Sequence, residues 1–309
     1  MAEGVLPILC VGALTLDTIF EMAELPSGPG KFIPVAAVEI AAGMASSAAT
    51  AIARLGGAVA LWASVGEDAT GTWLIQEIAA EGVDCGAVRT VSAARSAFAT
   101  ILVDQDGERI IVPHYDAALL SPPEVMPTIS KQAHSAVLVD VRWPLAAAQA
   151  LTAARQAGIP AVLDADVARA ETHELLLPLA SHIVASEPAA QQLTGCADPA
   201  EAVERLAAQF ESFVSVTAGA GGVYWFDRDT NQVRHCAAPK IAARDTLAAG
   251  DVFHGAFVLG LAEGRPMDWI MRLASMAAAI KCESFGGRLG APKRGEVEAR
   301  MVYEGVTTS

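Results

Sequence analysis

Two kinds of apolar pattern alternate along this chain. Short continuous apolar runs closed by glycine, proline or an acid mark strands covered on both faces. The runs at 6–12 and 59–65 are of this kind. Small residues at helical spacing fill much of the chain between them. Gly43-Met44-Ala45-Ser46-Ser47-Ala48 leads into a helix over 49–55 that Gly56-Gly57 stops, and Gly66-Glu67-Asp68-Ala69-Thr70-Gly71 opens another with acids in its first turn. From about residue 134 the alternation is regular. Strands at 136–140, 161–164, 182–185 and 213–217 are separated by helices at 144–156, 171–179 and 199–210. A hairpin over 223–226 and 233–236 follows, then a helix from Asp251 and a last long helix at 267–283 closed by Phe285-Gly286-Gly287. Alternating strands and helices predict a mainly parallel sheet between helical layers, an α/β fold.

Two stretches break this rhythm. In 18–40, Pro26, Gly28, Pro29, Gly30 and Pro34 preclude a long helix, leaving 31–33 and 35–40 as candidate short strands. Segments 96–103 and 108–112 flank Asp104-Gln105-Asp106-Gly107, a hairpin signal. Long excursions of this kind often cover a site, so 18–40 and 96–112 are predicted to form a small β lid. No repeat or linker interrupts the chain, and residues 1–309 read as a single domain.

Composition narrows the partners. Hydrophobic residues make up 53% of the 309 and charged residues 18%, enough for a large core and too apolar for long disorder. A net charge of −14 argues against nucleic acid or an anionic membrane as partner. The five cysteines are scattered and form no C-x-x-C, the pattern of reduced thiols in a cytoplasmic protein. The first apolar run has no basic residue before it and is interrupted by Asp17, so it reads as a buried strand and not a leader or span.

The strongest chemical signal is Asp245-Thr246-Leu247-Ala248-Ala249-Gly250-Asp251, small residues running straight into a helix with a carboxylate at the join. Such a helix start presents unpaired N–H groups and a positive dipole end, and the small side chains let an anion approach. An anion cradle beside a potential base suits phosphoryl transfer to a hydroxyl; a plain helix cap is the other reading. Asp17 is expected just past the first strand, where ligands of open α/β sheets bind; bonding turn amides is the alternative role. Thr217-x-Gly219-x-x-Gly222 follows a strand but no helix follows it, so it is not a dinucleotide fingerprint. No phosphate-binding G-x-x-x-x-G-K-[ST] occurs. Arg142, in Asp140-Val141-Arg142-Trp143, can hold an anion or pair with Asp140. Lys31 lies in the first lid segment, His114 and His254 read as structural histidines, and the six histidines show no metal spacing.

Several of these motifs, in order along nearly the whole chain, resemble the PfkB or ribokinase-like carbohydrate kinases. Asp245–Asp251 resembles that family's D-T-x-G-A-G-D. Ala42-Gly43-Met44-Ala45-Ser46-Ser47 with Ala53-Arg54-Leu55-Gly56 resembles its G-G-x-x-x-N…A-R-L-G block, Val65–Gly71 its V-G-x-D-x-x-G and Thr217–Gly222 its T-x-G-x-x-G. The resemblance implies a ribokinase-like three-layer α/β/α sandwich with a β-sheet lid. It further implies ATP with Mg²⁺, a sugar substrate and a homodimer through the lid. By matching position it makes Asp251 the catalytic base and the amides of Ala248, Ala249 and Gly250 an anion hole. Asp17, Gly43 and Ser47 would line the sugar site, and Thr217, Gly219 and Gly222 would lie along ATP. Departures are visible. Ala248 stands for a glycine, Ser47 for an asparagine, and Ser186-Glu187-Pro188-Ala189 lacks the last carboxylate of N-x-x-E, which leaves Glu187 or Asp166 to hold metal-bound water. Within the family, Asp140–Trp143, Ser186–Pro188, Gly250–Ala256 and Lys281-Cys282 with Gly286-Gly287-Arg288 resemble the sulfofructose kinases. That implies an anionic ketose gripped by Lys31 and Arg142, although Pro113 replaces an expected asparagine there. A neutral-sugar kinase and a silent sugar- or nucleotide-binding regulator remain the alternatives; a Rossmann oxidoreductase lacks its motif.

Overall fold

The computed structural model describes residues 6–105 and 107–303; Asp106 of the hairpin signal falls outside them. The strands are β1 Ile8–Gly12, β2 Thr15–Glu21, β3 Ala36–Ala42, β4 Val59–Gly66, β5 Arg89–Val91, β6 Phe98–Val103, β7 Arg109–His114, β8 Ala136–Val139, β9 Ala161–Ala165, β10 His182–Ser186, β11 Phe213–Thr217, β12 Val223–Asp227 and β13 Gln232–Cys236. The helices are α1 Met44–Arg54, α2 Ala69–Ala80, α3 Pro144–Ala157, α4 Ala170–Leu176, α5 Glu187–Thr194, α6 Pro199–Gln209, α7 Ala249–Ala262, α8 Met267–Cys282 and α9 Arg294–Tyr303.

Nine strands form the main sheet in the order β13-β12-β11-β10-β9-β8-β1-β4-β5, parallel except for β12 and β13. All of β1 is buried, and its alternate residues serve opposite cores. Ile8 and Cys10 pack into the layer holding α1, α2, α7, α8 and α9, whereas Leu9 and Val11 pack into the layer of α3, α4, α5 and α6. A run apolar at every position is what a sheet sandwiched by two helical layers requires. The chain leaves β1 toward β4 on one side and β8 on the other. This topological switch point opens at the carboxyl ends of β1 and β8, where ligands of open sheets bind.

The small sheet, ordered β3-β2-β6-β7, lies over that opening. β2 runs parallel to β6, while the β2–β3 and β6–β7 pairs are antiparallel. Ile19, Ile40, Ala42, Ala99, Ile101 and Val103 form its own buried cluster, against which Leu247 and Phe285 pack.

Three expectations change. Asp17 does not follow β1 as a loop residue; it sits inside β2, paired with Ile40 and Ala99. Residues 31–33 form no strand, because the prolines and glycines around them deny the regular φ/ψ that a ladder needs. The helix expected over 171–179 is α4 plus a 3₁₀ turn at Leu177–Leu179 containing Pro178.

Candidate active site

Between the small sheet and the carboxyl ends of β1, β8 and β9 lies a cavity of about 430 Å³. Its floor is the start of α7. Ala248, the residue before that helix, adopts φ 63° and ψ 10° and provides no side-chain cap. This left-handed turn leads into α7 without a side chain to satisfy its first N–H groups. The Ala249 amide donates back to the Thr246 carbonyl at 3.2 Å, while Ala248 and Gly250 line the cavity and Ala249 does not. A methyl group on Gly250 would meet nothing within 4 Å, so its backbone faces open space.

Asp251 stands one residue further into α7 and lines the cavity together with Ser47, whose hydroxyl is near enough to favour the ionised carboxylate. Burial, followed by the carboxylates of Asp166, Asp140 and Asp17, holds Asp251 well above the usual carboxylate range. Asp17 and Gly43 complete this side of the cavity with Ser47. Asp17 accepts a hydrogen bond from Thr15 Oγ1 at 2.7 Å, yet burial raises its pKa to about 6. Gly43 has φ 111°, and a Cβ there would come within 2.6 Å of the Ala13 carbonyl; only glycine permits this entry into α1.

Asp140 organises that geometry from behind. Its Oδ2 accepts from the amides of Ala13 at 2.8 Å and Ala45 at 3.0 Å, and its Oδ1 from Arg142 N at 2.8 Å. One buried carboxylate thus ties the end of β1 to the start of α1. Arg142 does line the cavity, but its guanidinium pairs with Asp166 at 2.9 Å and not with Asp140. Asp166 also accepts from the Ser186 hydroxyl at 3.1 Å.

Deeper in, Asp164 and His254 are buried together, His254 Nδ1 lying 3.3 Å from Asp164 Oδ2 and 2.6 Å from the Gly250 carbonyl. Burial and the carboxylates of Asp251, Asp166 and Asp140 push Asp164 well up, and burial pulls His254 down. The other ring nitrogen, Nε2, lies 3.3 Å from the Val184 carbonyl, so the ring is held between two backbone carbonyls and the Asp164 carboxyl. Ser186 and Thr217, paired neighbours at the ends of β10 and β11, also line the cavity. Gly219 and Gly222 belong to the β11–β12 turn beside it without lining it. Gly222, at φ 89° with its missing Cβ 2.2 Å from the Cys236 carbonyl, keeps that turn tight.

Two expected residues stand apart. Lys31 is exposed on the segment between β2 and β3, and Glu187 is exposed at the start of α5; neither lines the cavity. Conversely, Arg109, Tyr115, Asp164 and Thr246 line it without having been singled out. The D-x-D spacing of Asp164 and Asp166 at a strand end was the available signal for one of them. His114 is exposed on β7, its ring 5.1 Å from that of Phe98, and does not line the cavity. Among the described residues no group of three His, Cys, Asp or Glu side chains is placed to hold a metal ion.

The sequence model of the pfkB family carbohydrate kinases matches residues 7–294. A ribokinase of Haemophilus influenzae is 30% identical over 295 residues, spanning 93% of this chain and 95% of that one. A crystal structure from Agrobacterium tumefaciens, of a protein provisionally named a ribokinase, superposes with a TM-score of 0.92 at 46% identity, covering 97% of this chain and 99% of the other. An Arabidopsis thaliana ribokinase solved with ribose and ATP shares the fold at TM-score 0.79 and 23% identity, with 96% and 98% coverage.

Proposed function

The chain belongs to the pfkB family of carbohydrate kinases, and from that premise we propose that it transfers the γ-phosphoryl group of ATP to a primary hydroxyl of a neutral pentose or hexose. The observation carrying this reading is the placement of Asp251 at the open start of α7, with Ser47, Gly43 and Asp17 on one side and the Gly250 backbone on the other. The sugar hydroxyl gives its proton to Asp251 as its oxygen bonds to phosphorus, and the bond from phosphorus to the β–γ bridging oxygen breaks to release ADP. The N–H groups at Ala248 and Gly250 and the α7 dipole stabilise charge on the phosphoryl oxygens. Positioning and electrostatics carry most such catalysis.

A neutral sugar is favoured by the charges around Asp17. Lys31 is outside the cavity, Arg142 is neutralised by Asp166 and Pro113 offers no donor. Curated relatives named ribokinase and fructokinase point the same way. The second reading, a 6-sulfofructose or similar anionic ketose, keeps one support: Arg109 and Arg142 are both in the lining. Mg²⁺ is held in such sites by one or two carboxylates plus substrate phosphates; Asp166, in the lining and bonded by Ser186 beside Thr217, fits that need, and Glu187, outside the lining, does not. When bound it neutralises phosphate charge. Residues 1–309 are taken as one kinase unit that pairs with a second copy through the small sheet.

The test is ADP release with Mg·ATP against ribose, fructose, 6-sulfofructose, fructose 6-phosphate and adenosine. Preference for ribose or fructose upholds the reading, and preference for 6-sulfofructose transfers it to the anionic ketose. Asp251→Asn is expected to keep its melting temperature and to lose about a thousandfold or more in kcat. A near-normal rate in that variant removes the base assignment.

A further inference from the structure

Directly beneath the phosphoryl cradle lies a buried lysine that the proposed chemistry does not use. Lys281, in the last turn of α8, has no exposed side-chain surface, and neither has Asp245. Its ammonium donates to the Asp245 carbonyl at 2.6 Å and stands 3.4 Å from Asp245 Oδ2. The same carboxylate accepts from the amides of Leu247 at 2.7 Å and of Gly286 and Gly287 at 2.9 Å each. The amides of Arg244 and Asp245 in turn donate to the Cys282 carbonyl at 2.8 and 3.1 Å. Four of the contacts that anchor the loop entering α7 therefore meet at one carboxylate, that of Asp245, and its cation.

Such a buried pair is an expensive way to stabilise a fold, since desolvation offsets most of the attraction and a packed apolar pair would serve as well. Its value lies in geometry and field. A backbone carbonyl turned toward a positive charge fixes the peptide plane that follows it. Here that peptide begins the turn through Thr246 and Leu247 to the left-handed Ala248, two residues before the cavity-lining Gly250. A carbonyl oxygen and a carboxylate oxygen around a single positive charge are also what a free monovalent cation would take as ligands.

We propose that Lys281 is a positioning residue for phosphoryl transfer, a covalently attached monovalent cation that holds the α7 cradle in its working geometry and makes turnover independent of monovalent cations in solution. This rests on the kinase reading above and adds to it a prediction about salt.

The experiment is steady-state kinetics of the full chain with Mg·ATP and its preferred sugar, at constant ionic strength, in sodium, potassium, ammonium and tetramethylammonium chloride. The wild-type kcat is expected to agree within about twofold across the four salts. Lys281→Ala, which vacates the ammonium position, is expected to lose roughly a hundredfold in kcat with the sugar KM little changed, the size of effect seen when an anion-hole donor is misplaced. Potassium, ammonium or methylammonium should then restore about tenfold or more, and tetramethylammonium, too large for the space, should not. Lys281→Met, which fills the space with an apolar chain, should be slow and unrescued. A wild-type enzyme activated more than about fivefold by potassium or ammonium overturns the proposal. So does a Lys281→Ala variant that is folded and fast, or slow through KM alone, or deaf to every small cation. If melting shows that neither variant folds, the wild-type salt series decides. No turnover with any sugar sinks the kinase reading itself, whereas potassium-dependent turnover sinks this inference alone.

Discussion

Arg109 Nη1 lies 2.6 Å from the Thr246 hydroxyl, which itself donates to the Gly107 carbonyl at 3.2 Å. The hairpin joining β6 and β7 is thereby fastened to the loop that leads into α7, and the small sheet meets the phosphoryl cradle at one defined point. Arg109 and Thr246 both line the cavity, which makes the guanidinium a candidate contact for an anionic group bound there. Arg109→Ala is expected to lower kcat/KM about tenfold, ~1.4 kcal/mol, the worth of one charge-assisted hydrogen bond. Thr246→Val removes the latch but keeps the guanidinium, and should cost less. Equal, negligible effects in both variants would show that the contact contributes nothing to closure.

Asp17 carries a stability cost that function explains. Burial raises its pKa in the folded protein from 3.8 to about 6, so the folded state binds a proton more tightly than the unfolded chain. Below about pH 3 the group is neutral in both states and costs nothing. As pH rises through the window from 3.8 to about 6, the unfolded chain ionises first and stability is lost, reaching roughly 2–3 kcal/mol by neutral pH. Asp17→Asn should therefore melt several degrees higher than wild type at pH 7.5 and at nearly the same temperature at about pH 3. It should also lose sugar binding, a stability gain coupled to lost activity. A melting difference that does not change with pH would assign the effect to packing instead.

The turn before α7 can be probed in both directions. Ala248 is held at φ 63°, a conformation that costs an L-residue about 1 kcal/mol more than glycine. Ala248→Gly should raise the melting temperature slightly or leave it unchanged, with activity retained. Gly250→Ala adds a methyl group that meets no protein atom within 4 Å, so the fold should tolerate it. Because Gly250 lines the cavity, the methyl is expected to crowd the transferred phosphoryl group, and kcat should fall by at least about a hundredfold. A fully active Gly250→Ala variant would place the transferred group elsewhere.

How much of this was legible depended on the range of the interaction. β1 and β8–β11 announce themselves because a strand buried on both faces needs apolar side chains at every position. The Asp245–Asp251 stretch is equally plain, since its small residues and its acid lie side by side. β2 was less readable. Its burial alternates along Thr15–Glu21, but the buried face includes Thr15 and Asp17, whose polarity hides the period of two. The supports of the site were invisible for another reason. Asp140 meets Ala13 and Ala45 across 127 and 95 residues, and Lys281 meets Asp245 across 36. No local pattern encodes such pairings. Lys31 was misplaced because a composition that marks a segment as irregular says nothing about which way its side chains face.

The outer surface of the small sheet is the place to test association. Ile33 is 80% exposed, Val35 67% and Val112 61%, with Phe32, Ile110 and Ile111 also exposed. All lie on β7 or on the segment entering β3, the two edge strands of the four-stranded sheet. Apolar side chains gathered on unpaired edges invite pairing with another chain. A second copy presenting the same edges would bury them around a two-fold axis. The wild-type protein is expected to sediment as a dimer, and Val112→Lys combined with Ile33→Asp to sediment as a monomer. Because Ile111 on the same strand also lines the cavity, the monomer should show a raised sugar KM. A dimer that survives both charges would place the interface elsewhere, and a wild-type monomer would leave these side chains without a second copy to cover them.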